Sequence, residues 1–239
     1  MAIISNNVTY LDGDVACEGF FAFDDSFSGR RPAVLVSHPW AGRNEFVLEK
    51  AKQLAELGYV GFALDMYGSG KVGASHDENA QLMQPFIDDR AMLQKRIQAA
   101  LSAVKLLPWV DDKAIAAIGF CFGGLCVLDL ARTGVDIKGV VSFHGLLNAP
   151  DNLQGIDIKA KVLALHGHDD PMGKVEQVLA FEEEMTKAHA DWQLHAYGNT
   201  VHAFTNPAAS FPELGMVYSE MANRRSWLAM RNFLDELFE

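Results

Sequence analysis

The stretch GFCFGG, residues 119–124, decides the fold, because it joins a short apolar run to an apolar helical pattern through a tight turn. Such a G-x-C-x-G turn holds its central residue in a strained backbone conformation, and glycine at the flanking positions leaves the necessary room. The turn lifts the side chain of Cys121 above the carboxyl edge of a sheet. The helix that follows brings the positive end of its dipole close, which favours thiolate over thiol. The pattern therefore predicts Cys121 as a nucleophile.

Apolar runs and helical patterns alternate on both sides of this turn. Most of the runs are apolar throughout, which is typical of strands covered by helices on both faces and hence of a mainly parallel sheet. The first 30 residues predict a hairpin, and the polar, glycine-rich segment from Gly68 to Pro85 predicts an irregular lid or pocket wall. We expect one α/β domain over residues 1–239. The predicted strands are residues 33–37, 59–64, 114–119, 139–143, 161–166 and 192–196, and the predicted helices are residues 45–57, 93–104, 125–132, 174–188 and 227–238.

Charge and length restrict the classes of partner. The 20 Lys and Arg residues against 31 Asp and Glu residues give a net charge of −11 over 239 residues. A surface this acidic repels phosphate backbones and anionic lipids, so we expect neither a nucleic acid nor a membrane partner. No apolar stretch approaches the roughly 20 residues that cross a bilayer. The start of the chain lacks a signal-peptide pattern and the three cysteines lack metal-binding spacing, which together predict a cytoplasmic protein.

Loops after later strands supply the groups that a cysteine nucleophile needs. An enzyme with this turn carries an acid and then a histidine downstream, each after a strand. The segment GHDDP, residues 167–171, follows one predicted strand, and GNTVHAF, residues 198–204, follows the next. Because carboxyl ends of parallel strands meet at one edge of a sheet, we assign His202 as the base and Asp170 as the acid that orients it. Asp169 is the reserve for the acid.

A structural interpretation of Cys121 stays open, since glycine-rich turns are common in α/β proteins and a cysteine there can be a small buried apolar residue. Cys126 lies inside the predicted helix and Cys17 in the predicted hairpin, so we interpret both as structural. Four histidines are interpreted as surface or packing residues: His76, His144, His189 and His195.

Together these motifs resemble the dienelactone hydrolase family of α/β-hydrolases. Besides GFCFGG, the resemblance rests on LDMYG at residues 64–68, HGHDDP at 166–171 and VHAF at 201–204, in matching order, and it covers most of the chain. It implies an α/β-hydrolase fold with an eight-stranded, mostly parallel sheet, helices on both faces and a minimal cap. It also implies a Cys-Asp-His triad that cleaves esters or lactones through a cysteinyl thioester. We expect no cofactor and no metal ion.

The segment SHPWAG, residues 37–42, departs from the family. Dienelactone-cleaving members carry a glutamate after the first parallel strand that interacts with the resting thiol, and this segment holds no carboxylate. Activation of Cys121 must then rely on His202, with His38 nearby.

The same segment should supply one donor of an oxyanion hole. Pro39 has no N–H, so the backbone N–H groups of Trp40 and Phe122 are the two candidates. Each such donor is worth about 10²–10³ in rate.

Cations that would bind a dienelactone carboxylate are missing. Family members use arginines near the pocket, one of them shortly after the catalytic histidine, where this chain reads HAFTN at residues 202–206. The predicted lid, residues 74–85, also contains neither Arg nor Lys. We therefore expect a small, neutral, ester-like substrate, and the oligomeric state is open. The predicted pocket residues are His38, Tyr67, Met83, Phe86 and Phe204.

Three other activities are compatible with parts of the sequence. A thiol with an oxyanion hole can also attack phosphorus in a neutral phosphotriester, since the developing oxyanion needs similar donors. The spacing of His166, His168 and Asp170 partly matches a binuclear metal hydrolase, although Pro171 stands where that pattern needs a histidine. An exposed, activated Cys121 also suits a non-catalytic thiol sensor or binding protein.

Overall fold

The computed structural model describes residues 2–153 and 156–239. The chain divides into two compact units, Met1–Ile118 and Gly119–Glu239, and the boundary falls inside one long strand. Each unit is described by itself below. The single domain expected over residues 1–239 stays a prediction.

The first unit starts with the predicted hairpin, whose two strands pair antiparallel along their whole length. The later strands are short and deeply buried, as continuously apolar runs require. The elements are β1 (Ile3–Asp12), β2 (Val15–Asp24), β3 (Arg31–Ser37), α1 (Glu45–Glu56), β4 (Val60–Ala63), α2 (His76–Asp88), α3 (Arg90–Lys105) and most of β5 (Val110–Phe120).

The second unit begins with the last two residues of β5 and the turn that follows. Its central strands are buried along their length and pair in parallel. The elements are α4 (Phe122–Arg132), β6 (Gly139–Phe143), β7 (Lys161–Gly167), α5 (Val175–Lys187), β8 (Trp192–Tyr197), the two-residue strands β9 (Ser210–Phe211) and β10 (Met216–Val217), and α6 (Glu220–Phe238).

The described residues form an eight-stranded sheet in the order β1-β2-β4-β3-β5-β6-β7-β8. Strands β3 and β4 are parallel, as are β6, β7 and β8, whereas β2 is antiparallel to both of its neighbours. The fold is therefore the mostly parallel α/β sheet that the sequence predicted. Among the helices of the described residues, none combines the length and the apolar character that crossing a bilayer requires.

One prediction about local structure is wrong. The segment from Gly68 to Pro85 was expected to be irregular, yet α2 occupies its second half and continues to Asp88. Ser75 caps this helix by accepting a hydrogen bond from the N–H of Glu78, and the Glu78 carboxylate accepts one from the N–H of Ala74. The arrangement is similar to a capping box, except that Glu78 reaches the residue before the N-cap, and the S-x-x-E spacing that predicts a helix start is present in the sequence.

Candidate active site

The turn between β5 and α4 has the strained geometry that its glycines predict. Cys121 lies at φ +56° and ψ −116°, a region that L-residues rarely adopt and that costs about 1–3 kcal/mol. A Cβ atom at Gly119 would collide with the carbonyl oxygen of Gly123, so glycine is required there. The backbone N–H of Cys121 donates to the carbonyl of Phe143 at 3.0 Å, which ties the turn to the end of β6.

The three cysteines differ in exposure. Cys121 is partly exposed, while Cys17 and Cys126 are buried. Cys121 also stands directly before Phe122, the first residue of α4, whose N–H belongs to the first turn of the helix. Among the cysteines, the geometry of a nucleophile next to a helix N-terminus belongs to Cys121.

His202 and Asp170 meet in the interior of the second unit. Nδ1 of His202 lies 2.7 Å from Oδ2 of Asp170, and the two side chains are each 1% exposed. The other carboxylate oxygen, Oδ1, accepts the N–H of Met172 at 2.8 Å, which fixes the orientation of the carboxyl group. Asp169, the reserve for the acid, is exposed to solvent. The contact supports Asp170 as the residue that orients the imidazole.

A parallel β-bridge to Met216, the first residue of β10, fixes the backbone on both sides of His202. The N–H of His202 donates to the carbonyl of Gly215 at 2.9 Å, and its carbonyl accepts the N–H of Val217 at 3.1 Å. Gly215 lies at φ +64°, and a side chain there would also collide with the ring of Pro171. The loop that carries the base and the loop that carries the acid are therefore held by one packed contact.

The charge state of His202 follows from its neighbours. Burial lowers the pKa of His202, but the negative charge of Cys121 and the hydrogen bond to Asp170 outweigh burial and raise the pKa to about 10. Nε2 of His202 is buried, and a hydrogen bond with the side chain of Cys121 also raises the pKa of His202. The arrangement favours a thiolate and an imidazolium, with the Nε2 proton available for transfer.

His144 is a residue at this site that the sequence analysis missed. Its buried ring lies 5.1 Å from that of His202 and 5.0 Å from that of Phe204, centroid to centroid. Nδ1 accepts the N–H of Cys121 at 3.2 Å, and Nε2 lies 2.8 Å from the hydroxyl of Thr205. The available signal was its position directly after β6, at the carboxyl edge of a parallel strand.

The candidate metal ligands do not form a cluster. His166 is buried in β7, whereas His168 is exposed and Asp170 is engaged with His202. Burial lowers the pKa of His166. In the described ranges, no group of three or more His, Cys, Asp or Glu side chains is placed to hold a metal ion.

In the first unit, the imidazole of His38 connects two loops. Nδ1 lies 2.8 Å from the carbonyl oxygen of Pro39, and Nε2 accepts the N–H of Met66 at 3.1 Å. The side chain is fully buried, and burial lowers the pKa of His38 to about 4. A neutral ring with both nitrogens engaged supports a structural role for His38 rather than proton transfer.

The other pocket residues that the sequence predicts in the first unit lie around the same loops. The hydroxyl of Tyr67 donates to the carbonyl of Trp40 at 2.7 Å, and the Tyr67 ring lies 4.7 Å from that of His38 and 5.8 Å from that of Phe86. Trp40 is half-buried, as is Met83 on α2. In the second unit, Phe204 is buried and packs on His144 and Tyr197.

Comparisons with known proteins agree with this fold. The sequence model of the dienelactone hydrolase family matches residues 18–238. A crystal structure described as a dienelactone hydrolase-like promiscuous phosphotriesterase from metagenomic libraries is 40% identical, with a TM-score of 0.95 and full coverage of both chains.

Two curated relatives show the range of the match. An uncharacterized protein of Caenorhabditis elegans is 38% identical over 63% of this chain and 98% of its own length. A Bradyrhizobium protein described as a probable 2-oxo-3-(5-oxofuran-2-ylidene)propanoate lactonase is 28% identical over 74% of this chain and 75% of its own.

Proposed function

Because this chain belongs to the dienelactone hydrolase family and is a carboxylic ester or lactone hydrolase, we propose that Cys121 is its nucleophile and that neutral esters are its substrates. The observation that supports this assignment is the contact of His202 Nδ1 with Asp170 at 2.7 Å, which leaves Nε2 as the ring nitrogen that can exchange a proton. The neighbouring thiolate sits on a strained turn at the start of a helix.

In the first half of the reaction, the Cys121 thiolate attacks the carbonyl carbon and a C–S bond forms. The carbonyl π electrons move to oxygen, and the N–H of Phe122, in the first turn of α4, stabilises the oxyanion. The N–H of Trp40, which the sequence predicts as the second donor, stays a prediction. As the intermediate collapses, the C–O bond breaks and the His202 imidazolium gives its Nε2 proton to the departing alkoxide.

In the second half, water resolves the thioester. His202 is now neutral and takes a proton from the attacking water, and the tetrahedral intermediate then expels the sulfur as thiolate. The thiolate and the imidazolium are thereby restored. Asp170 holds the ring in one tautomer during both halves and stabilises its charged form.

The expected substrate is neutral for two reasons. The net charge of −11 disfavours anions in general, and the HAFTN segment at residues 202–206 contains no cation that would pair with a substrate carboxylate. The substrate class and a cytoplasmic location are the parts of the proposal that rest on the sequence alone.

Phosphotriester hydrolysis is the second candidate activity. It is favoured by the structure that is 40% identical to this chain and is described as a promiscuous phosphotriesterase. The same thiolate attacks phosphorus and the phenoxide leaves. We expect release of nitrophenol from paraoxon above that of Cys121→Ala, and release equal to that of this variant would remove the activity.

Turnover of p-nitrophenyl butyrate by three proteins tests the nucleophile. Cys121→Ala removes the attacking sulfur, so continuous release should fall to background. Cys126→Ala is the matched control, because it makes the same change at a buried cysteine five positions further on, inside α4. A thiol sensor would instead give one stoichiometric burst, and sustained turnover by Cys121→Ala would refute the assignment.

A further inference from the structure

We propose that His144 is a positioning residue that holds the nucleophile turn and the histidine loop in register. Nδ1 of His144 accepts the backbone N–H of Cys121 at 3.2 Å and shares it with the carbonyl of Phe143, which lies at 3.0 Å. Nε2 of His144 lies 2.8 Å from Oγ1 of Thr205. Thr205 is three residues beyond His202 in the same loop. One buried ring therefore connects the backbone of the nucleophile to the segment that carries the base.

The two contacts fix the tautomer of His144. Because a backbone N–H is a donor only, the nitrogen that accepts it, Nδ1, carries no proton. The proton of the neutral ring is then on Nε2, which donates to Thr205 Oγ1. Adding a proton at Nδ1 would replace an attractive contact by a repulsive one. The geometry therefore keeps His144 neutral.

The surroundings of His144 act in the same direction. Burial lowers the pKa of His144 well below its ordinary range, and the charge of His202 lowers it further, as does His166 on β7. A second cation beside the His202 imidazolium would oppose the thiolate–imidazolium pair. A neutral ring instead packs edge-on against His202, with the centroids 5.1 Å apart, and adds no competing charge.

The backbone at this position is also strained, since His144 lies at φ +40°. Strain of this kind persists only where the surrounding contacts outweigh it. Here those contacts are the Cys121 N–H, the Thr205 hydroxyl and the rings of His202 and Phe204. Each of these groups belongs either to the turn that carries Cys121 or to the loop that carries His202. If the turn and the loop moved apart, the distance from Nε2 of His202 to Sγ of Cys121 would change.

Three variants separate the parts of this role. His144→Phe keeps a ring of similar size but removes both nitrogens. His144→Asn tolerates positive φ and returns an acceptor near the position of Nδ1. Thr205→Val removes only the hydroxyl and is the milder test should the His144 variants fold poorly.

His144→Phe should lower kcat by up to about 10²-fold, since a small misplacement of reacting groups has that effect. KM should change little. Thr205→Val should lower kcat about two- to tenfold, the worth of one hydrogen bond. His144→Asn should fall between the wild type and His144→Phe. His189→Phe is the matched control, because His189 also has a positive φ of 53° but is exposed, and it should behave as the wild type.

The second readout is the ultraviolet absorbance of the Cys121 thiolate, followed against pH without substrate. In folded His144→Phe, the thiolate should form at higher pH than in the wild type, because a looser imidazolium stabilises it less. A role limited to packing would lower the unfolding temperature and leave this titration and kcat unchanged, and that result overturns the proposal.

The inference rests on the proposed pairing of Cys121 with His202, and the two can fail separately. Sustained turnover by Cys121→Ala would refute the proposed function. A wild-type kcat and a wild-type thiolate titration in both His144→Phe and Thr205→Val would refute the proposed role of His144.

Discussion

Two buried histidines that follow parallel strands, His38 after β3 and His202 after β8, have opposite properties. Both nitrogens of His38 are engaged by backbone groups, and burial lowers its pKa to about 4. His202 is equally buried, but its interactions with Cys121 and Asp170 raise its pKa to about 10. Position at the end of a strand does not decide the role of a histidine; the charge and the number of its partners do.

The aspartates of the two units repeat the contrast. Asp65, after β4, accepts the backbone N–H groups of Glu18, Tyr67, Gly68 and Gly70 at 2.9–3.0 Å. Asp170 accepts one backbone N–H and uses its other oxygen for His202. A buried carboxylate whose partners are all backbone N–H groups, such as Asp65, fixes the shape of a loop. A buried carboxylate that also contacts an imidazole, such as Asp170, orients that imidazole.

The largest effect should come from His202→Ala, which removes the base. Turnover of p-nitrophenyl butyrate should fall by about 10³-fold or more if His202 is the sole group that transfers protons. The measurement is kcat under saturating substrate. A loss below tenfold would mean that His202, like His38, is not needed for proton transfer, and it would contradict the difference drawn between the two histidines.

Asp170→Asn should follow, with a loss of about 10²-fold or more, because the amide can donate to Nδ1 and favour the wrong tautomer. Asp169→Asn makes the same change at the exposed neighbour and should leave kcat within about twofold. Equal losses in the two variants would remove the assignment of Asp170.

His38→Phe should act mainly on stability. It leaves the Met66 N–H and the Pro39 carbonyl without a buried partner, so the free energy of unfolding should fall by about 1–3 kcal/mol. Urea titration measures this loss. Turnover per folded molecule should fall far less than in His202→Ala, and an equal fall with unchanged stability would point to His38 as a second proton carrier.

The smallest expected effect is the pH dependence of kcat/KM for an alkyl ester. The pKa of His202 in the folded protein, about 10, lies above its ordinary value of 6.5. The imidazolium therefore contributes its full stabilisation of the folded state at pH values below 6.5. The contribution declines as pH rises from 6.5 and is lost once pH passes about 10. The alkaline limb of kcat/KM should therefore lie near pH 10. A limb centred near 6.5 would mean that His202 acts with an ordinary pKa.

Local rules predicted the strained turn at Cys121 correctly. The G-x-C-x-G pattern requires only sterics within five residues, and Gly119 and Gly123 meet as that pattern implies. The continuous apolar runs likewise predicted β3 to β8 of the sheet. Helix α2 was missed because Pro85 and the glycine-rich start outweighed the S-x-x-E capping signal at Ser75.

Contacts between distant residues could not be predicted. His144 meets Thr205 across 61 positions, and His38 meets the Met66 N–H across 28, so neither role is visible in the local sequence. The sequence favoured Asp170 and kept Asp169 as the reserve, but it did not show that Asp170 is buried while Asp169 is exposed.

The most direct test of the account is the identity of the residue that carries the acyl group. Wild-type protein is mixed with p-nitrophenyl butyrate, quenched in acid during the pre-steady-state phase, digested and examined by mass spectrometry. The account predicts a butyryl group on the peptide that contains Cys121, absent from Cys121→Ala and released by hydroxylamine. A butyryl group on another side chain, with Cys121 unmodified, would contradict it.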